Sequence, residues 1–179
     1  MTYQSALQGW HDFYVITGTA AASLVGLLFV GLSLHLRIVV SRADVQALAR
    51  MTLTSFGLTL VISLFMVIPE DQPAATGWQL VGSGIAACVI NAPSFTAGLR
   101  SRRRTISIRR LLLRFGLSTL AYVGVIATGG LFVAGAYRSG LGWLVGVAVV
   151  LLLVSLRNTW DLLVSVGAAT LKDAREDRF

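Results

Sequence analysis

Long apolar segments alternate with short polar ones along this chain. Five segments contain no Asp, Glu, Lys or Arg, and each is between 18 and 28 residues long. A helix that crosses ~30 Å of hydrocarbon needs about 20 apolar residues, so all five are long enough. The pattern predicts an all-α polytopic membrane protein, a bundle of five transmembrane helices in a single domain. The predicted helices cover about 12–36, 44–69, 77–99, 111–137 and 141–168.

The composition favours a membrane protein over a soluble one. Of the 179 residues, 55% are hydrophobic and 13% are charged, and the mean hydropathy is +0.76. A soluble domain that buried five such helices would have too few polar residues left to cover its surface. The main polar stretches are a basic cytoplasmic connector at 100–110 and a short cytoplasmic C-terminal tail at 172–179.

The distribution of charge predicts the orientation in the membrane. The formal net charge is +7, which in a soluble protein would suggest a nucleic-acid partner. Here 14 of the 15 basic residues fall in 37–50, in 100–114 and from Arg157 onward. By the positive-inside rule, the N-terminus is outside and the C-terminus is cytoplasmic in a bacterial inner membrane, and we expect no nucleic-acid partner. Trp10, Trp78 and Trp143 then fall at the outer interface, where tryptophan is enriched.

Motifs for catalysis and cofactor binding are absent from the sequence. There is no glycine-rich phosphate loop, no His-Glu-x-x-His, no Gly-x-Ser-x-Gly and no cluster of metal ligands. Cys88 is the only cysteine, so no disulfide can form within the chain. We therefore expect no cofactor, no metal and no enzymatic activity.

Small residues recur every four positions in the predicted first and fifth helices. Helices in a bilayer associate through close backbone contact, which small side chains at this spacing allow. We expect helix packing along these faces, either within one bundle or between subunits. The positions are Gly18, Ala22, Gly26, Gly142 and Gly146.

The first helix also resembles that of a known group of proteins. The residues concerned are Trp10, Phe13-Tyr14, Gly18, Ala20-Ala21-Ala22, Gly26-Leu27-Leu28-Phe29-Val30 and Leu32-Ser33, followed by Val67-Ile68-Pro69 at the end of the second helix. They are similar to those of uncharacterised actinobacterial small integral membrane proteins, which often have Asn at the position of His35. The resemblance implies a helical membrane fold and carries over no functional residue.

Ionisable residues at membrane depth are candidates for function. His35 lies near the inner end of the first helix, and Arg157 and Asp161, four residues apart, share one face of the fifth. A rise of ~1.5 Å per residue puts Arg157 close to the inner boundary, at the depth of His35. We expect either interfacial side chains that snorkel to water or a shared polar cluster of these three residues at the inner mouth.

Hydroxyl side chains recur at helical spacing along the predicted second helix. Such a stripe either lines a wet path or, more commonly, hydrogen-bonds its own backbone and neighbouring helices. Asn91, beside Pro93 in the third helix, either satisfies a carbonyl that the proline frees or lines a cavity. The hydroxyl residues are Thr52, Ser55, Thr59 and Ser63.

The basic connector predicts contact with anionic lipid headgroups, at about 1 kcal/mol per residue near the surface. Retention on the cytoplasmic side explains the same charges without a further role. The predicted lipid contacts are Arg102, Arg103, Arg104, Arg109 and Arg110.

Taken together, these features favour a homo-oligomeric passive channel or transport-like protein. The expected partners are the bilayer, including its anionic lipids, and further copies of the chain. The alternative is a non-conducting regulatory or scaffolding subunit that docks on another membrane protein.

Overall fold

The computed structural model describes residues 3–68, 72–100 and 116–176, and within those ranges the regular elements are all helices. In the described residues, one short helix precedes the first long helix and another follows it, and four more long helices come after them. In order, the helices are α1 (Tyr3–Gln8), α2 (His11–Leu34), α3 (Leu36–Ser41), α4 (Ala43–Val67), α5 (Pro73–Arg100), α6 (Leu117–Val133) and α7 (Tyr137–Glu176).

Four described segments are long and apolar enough to cross a membrane. They are His11–Leu34, Val45–Val67, Pro73–Pro93 and Tyr137–Gly167. The described part of α6 is apolar but has 17 residues, or about 26 Å at ~1.5 Å per residue, slightly less than ~30 Å of hydrocarbon. The fifth predicted crossing stays a prediction, because 111–115, where it is predicted to begin, lie outside the described residues.

Proline and glycine explain where several helices begin and end. α4 stops at Ile68, whose extended backbone suits a residue that precedes a proline. α5 begins with Pro73 in its first turn, where a missing N–H costs nothing. Pro93 can kink or end a helix, but α5 continues through it to residue 100. α6 closes on Gly135, whose φ of 81° is the left-handed conformation that favours glycine.

The long helices differ in extent from their predicted bounds. α5 begins at Pro73 instead of 77, and α6 ends at Val133 instead of 137. α2 ends at Leu34, and the non-helical backbone of His35 separates it from α3. α7 begins at Tyr137 and runs to Glu176, so it includes most of the predicted tail. No Pro or Gly interrupts 168–176, which explains why the helix continues beyond its apolar part.

The long helices form a ring of four with one helix packed outside it. α4 contacts α5, α5 contacts α6, α6 contacts α7 and α7 contacts α4, while α2 packs against α4. Gly77 of α5 lies against Gly129 of α6, which shows that these neighbours are antiparallel. α2, α5 and α7 therefore begin at the same end of the bundle. We call it the tryptophan end, because Trp10, Trp78 and Trp143 lie there with 38%, 64% and 67% of their surface exposed.

The core contains two hydrophobic clusters. The first fills the ring from the tryptophan end and includes the fully buried Met66, Leu80 and Phe132. The second lies among α2, α3, α4 and α7 towards the opposite end, around Leu48 and Leu162. Tyr122, one of the polar residues described below, belongs to the first cluster.

Among the glycines at the predicted packing positions, Gly18 is the one where another helix approaches closely. A Cβ at Gly18 would lie 2.9 Å from the Cβ of Ser63, so α2 and α4 approach closely there. The other positions lie on exposed faces, and Cβ atoms at their glycines would meet nothing within 4 Å. Contact between subunits at these positions stays a prediction. The exposed positions are Ala22, Gly26, Gly142 and Gly146.

Candidate functional site

The hydroxyl stripe of α4 faces the interior of the chain. Thr52, Ser55, Thr59 and Ser63 are each no more than 3% exposed. Thr52 Oγ1 donates to Leu48 O at 2.8 Å, and Thr59 Oγ1 donates to Ser55 O at 2.9 Å. Two of the four hydroxyls therefore donate to carbonyl oxygens of their own helix, as Ser and Thr commonly do. Ser63 Oγ is buried and has no hydrogen-bond partner.

The hydroxyl of Tyr122 connects three helices. Ser55 Oγ of α4 lies 2.7 Å from Tyr122 Oη of α6, and Asn91 Nδ2 of α5 donates to the same oxygen at 3.4 Å. Asn91 Nδ2 also donates to Ala87 O at 3.0 Å. Since α4 and α6 are opposite each other in the ring, the Tyr122 side chain crosses its middle. It leans away from the tryptophan end, because helical side chains tilt towards the N-terminus of their helix.

Six side-chain atoms in the described residues are buried without a hydrogen-bond partner. Two of them, Tyr14 Oη and Ser63 Oγ, lie towards the tryptophan end, and the other four belong to α5, α6 and α7. These four are Asn91 Oδ1, Ser118 Oγ, Ser155 Oγ and Asn158 Nδ2. Their residues are 8%, 1%, 0% and 2% exposed, respectively. The large majority of buried side-chain polar atoms in proteins have a partner in the protein or in an ordered water, so a set of four is a feature that needs a physical reason.

α6 and α7 pack against each other in a register that places Ser118 and Ser155 at similar depth. Gly124 packs against Val147, with its Cβ position 3.1 Å from a valine methyl. Ser118 and Ser155 each lie about two turns further along this antiparallel pair, so they are at similar depth. Ser118 is in turn one helical turn from Tyr122. We call the following six residues the polar centre: Ser55, Asn91, Ser118, Tyr122, Ser155 and Asn158.

An apolar layer closes the ring between the polar centre and the tryptophan end. Tyr3 of α1 covers this end, with ring centroids 6.2 Å from Phe132 and 5.5 Å from Tyr137. Its hydroxyl donates to Thr76 Oγ1 at 3.1 Å. Beneath it, Met66 and Leu144 are fully buried. The polar centre is therefore occluded from this end by aromatic and aliphatic side chains.

The predicted cluster of three ionisable residues is placed as follows. His35 Nδ1 lies 3.2 Å from Gly31 O, one turn earlier in its own segment. Arg157 is exposed and Asp161 is half-buried on α7, whereas Asn158 between them faces the interior. A cluster formed jointly by His35, Arg157 and Asp161 stays a prediction.

Sequence reasoning missed most of the polar centre. It singled out Ser55 and Asn91 but neither Tyr122, Ser118, Ser155 nor Asn158. A signal was present in the sequence, because Ser118 and Tyr122 are four residues apart and Ser155 and Asn158 are three residues apart, so each pair lies on one helix face. In an apolar helix, such interior polar positions are more informative than exposed charges near its ends.

Other kinds of site find no support in the described residues. Within 3–68, 72–100 and 116–176, no group of three His, Cys, Asp or Glu residues is arranged to hold a metal ion. The arginines of the basic connector, with their predicted lipid contacts, lie outside the described residues. Comparisons with protein-family models, with curated proteins and with solved structures give no match.

Proposed function

We propose that this chain is an integral membrane protein that provides a passive, transport-like path, with the polar centre as the part that contacts the solute. The observation that supports this best is the Tyr122 hydroxyl, which links Ser55 and Asn91 across the ring. All four ring helices contribute polar side chains at this depth. Ser55 lies about midway along α4, and solute sites of membrane transporters are typically found near the middle of the bilayer.

The unpartnered atoms of the polar centre support the same proposal. A buried polar group without a partner costs about 1–3 kcal/mol, and replacing it with an apolar one would remove that cost. A solute or water that moves through the ring supplies the partners that these groups need. The apolar layer at the tryptophan end then corresponds to an occluded state, which has to open for passage.

The path proposed here lies within one chain rather than on a symmetry axis. Self-association would add independent copies of the path, and it is part of the proposal only in that sense. We also propose the bacterial inner membrane as the location, with the tryptophan end outside, because the basic residues then lie in the cytoplasm.

Flux through reconstituted vesicles tests the proposal. Osmotic shrinkage is followed by stopped-flow light scattering, with water and glycerol as the permeants. Ser55→Ala should lower the protein-dependent rate about tenfold, the equivalent of ~1.4 kcal/mol. Thr19→Val is the matched control, since this exposed hydroxyl on α2 donates only to Val15 O of its own helix. If vesicles with wild-type protein are no more permeable to water and glycerol than empty vesicles, the proposed path is refuted.

A second candidate function is that of a non-conducting regulatory or scaffolding subunit. The open surface at Gly26, Gly142 and Gly146 favours it, because a partner helix can approach the backbone closely there. Cross-linking in native membranes through cysteines at these positions tests it, in a chain whose Cys88 is replaced by alanine. Adducts with a different membrane protein would support the second function, and adducts between copies of the chain alone would not.

A further inference from the structure

Resting on the proposed function, we infer that the polar centre binds small uncharged molecules that both donate and accept hydrogen bonds, and that it rejects ions. Asn158, Ser155 and Ser118 recognise this solute through the unpartnered polar atoms of their side chains.

In the part of the chain whose burial is described, the interior offers no charge to a bound ion. Among the residues whose burial the structure describes, the buried polar side chains are those of Ser, Thr, Asn and Tyr, and no Asp, Glu, Lys, Arg or His is buried. An ion that leaves water loses its hydration, and neutral hydroxyl and amide groups without a counter-charge compensate only part of that loss. The electrostatics therefore favour an uncharged ligand.

The unpartnered atoms require a ligand of mixed hydrogen-bonding character. Asn158 Nδ2 is a donor and Asn91 Oδ1 is an acceptor. The hydroxyls of Ser118 and Ser155 can act as either. A ligand with acceptors alone, such as an ether or a ketone, would leave the asparagine oxygen without a donor. Water, alcohols and simple amides present both functions.

The surroundings of the polar centre restrict the ligand to a small size. Towards the tryptophan end, the ring is filled by Met66, Leu80 and Leu144, each fully buried. The side chain of Tyr122 occupies the middle of the ring and already bonds Ser55 and Asn91. The ligand is therefore either water itself or a molecule of only a few heavy atoms, such as glycerol or urea.

Parallel flux measurements separate these solutes. Vesicles that contain wild-type protein are tested for the passage of water, glycerol, urea and K⁺. We expect uncharged molecules to pass and K⁺ to leak no faster than from empty vesicles. Passage of water alone identifies water as the ligand, and passage of glycerol or urea identifies a small organic solute; both results support the inference.

Substitution at Asn158 tests the assigned residues. Asn158→Leu keeps a similar volume and removes both the carbonyl and the NH2 group of the amide, so it should lower the passage of uncharged molecules about tenfold. Thr159→Val is the matched control, because the Thr159 hydroxyl donates to Ser155 O of its own helix at 2.9 Å. If Asn158→Leu does not fold, Ser155→Ala, a smaller change, provides the same test.

The two proposals fail in different ways. If wild-type protein passes no solute at all, the proposed function is refuted and the inference with it. If uncharged molecules pass but K⁺ passes as well, or Asn158→Leu leaves their rates unchanged, only the inference is refuted. If Asn158→Leu raises the thermal unfolding midpoint and leaves the flux unchanged, the Asn158 amide contacts neither water nor solute and only destabilises the fold. This result also overturns the inference.

Discussion

The glycines between α5 and α6 and those on the exposed faces of α2 and α7 occupy opposite environments. A Cβ at Gly129 would lie 2.7 Å from Gly77 O, and a Cβ at Gly77 would lie 2.8 Å from Gly129 O. The two backbones are therefore in direct contact. Cβ atoms at Gly142 and Gly146 would meet nothing within 4 Å, although these two residues have the four-residue spacing that typifies helix contact.

This difference shows that small-residue spacing identifies a face but does not tell what the face meets. On α7, the buried positions include Leu144 and Leu151, while Leu153 is 62% exposed. In a lipid-facing protein both sides of a helix are apolar, so hydrophobicity cannot distinguish the interior from the exterior. The interior face of α7 is instead identified by Ser155 and Asn158, because polar side chains in membrane helices seldom face lipid.

The largest expected effect comes from adding a side chain at Gly129. Gly129→Val should destabilise the fold by about 3 kcal/mol, because the new atoms meet the backbone of α5, which cannot rotate away. Gly130→Val is the matched control on the next residue, which is exposed and open. It should change the free energy of unfolding by less than about 0.5 kcal/mol. Unfolding in mixed micelles with increasing denaturing detergent measures both, and equal effects would contradict the α5–α6 contact.

The same comparison of interior and exterior applies to hydroxyl groups. Tyr122→Phe leaves Ser55 without its partner across the ring and removes one acceptor from Asn91, so we expect a loss of about 2 kcal/mol. A double-mutant cycle with Ser55→Ala isolates the pairwise part, and the two substitutions should be clearly less than additive. Thr19→Val on the exposed face of α2 should have almost no effect. Full additivity of Tyr122→Phe and Ser55→Ala would show that the two hydroxyls do not interact.

The helical class and most of the apolar spans could be predicted from the sequence. Charge-free segments of sufficient length follow directly from the thickness of a bilayer, and four of them are found in helices of suitable length. The helix bounds were less predictable. Pro93 is tolerated inside α5 and His35 interrupts the helical backbone, since neighbouring helices and local hydrogen bonds decide such positions.

The polar centre could be predicted only in part. The stripe of α4 and Asn91 stood out because each departs from its apolar surroundings. Tyr122 did not stand out, because tyrosine is also enriched at membrane interfaces. Its role depends on the contact of its hydroxyl with Ser55 across the ring. Contacts between opposite helices have no signature in the spacing along one helix.

A smaller effect is expected where α1 covers the tryptophan end. Tyr3→Phe keeps the ring contacts with Phe132 and Tyr137 and removes the hydrogen bond to Thr76. We expect a loss of about 1 kcal/mol, the usual contribution of one such bond. Tyr3→Ala should lose more, because the aromatic contacts disappear as well. If both variants unfold like the wild type, α1 does not contribute to the stability of this end.

The smallest effect on the folded chain is expected on the exposed face of α7. Gly142→Leu and Gly146→Leu place large side chains where the structure offers open space, so each should alter the free energy of unfolding by less than about 0.5 kcal/mol. Their effect on self-association is the sharper measurement, because a leucine prevents the close backbone approach that a glycine face allows. Förster transfer between labelled copies in vesicles should fall for these variants if α7 joins two copies. Unchanged transfer, with unchanged stability, would mean that this face of α7 meets only lipid in these vesicles. Gly77 and Gly129 would then be glycines of a protein contact, and Gly142 and Gly146 glycines that face the bilayer.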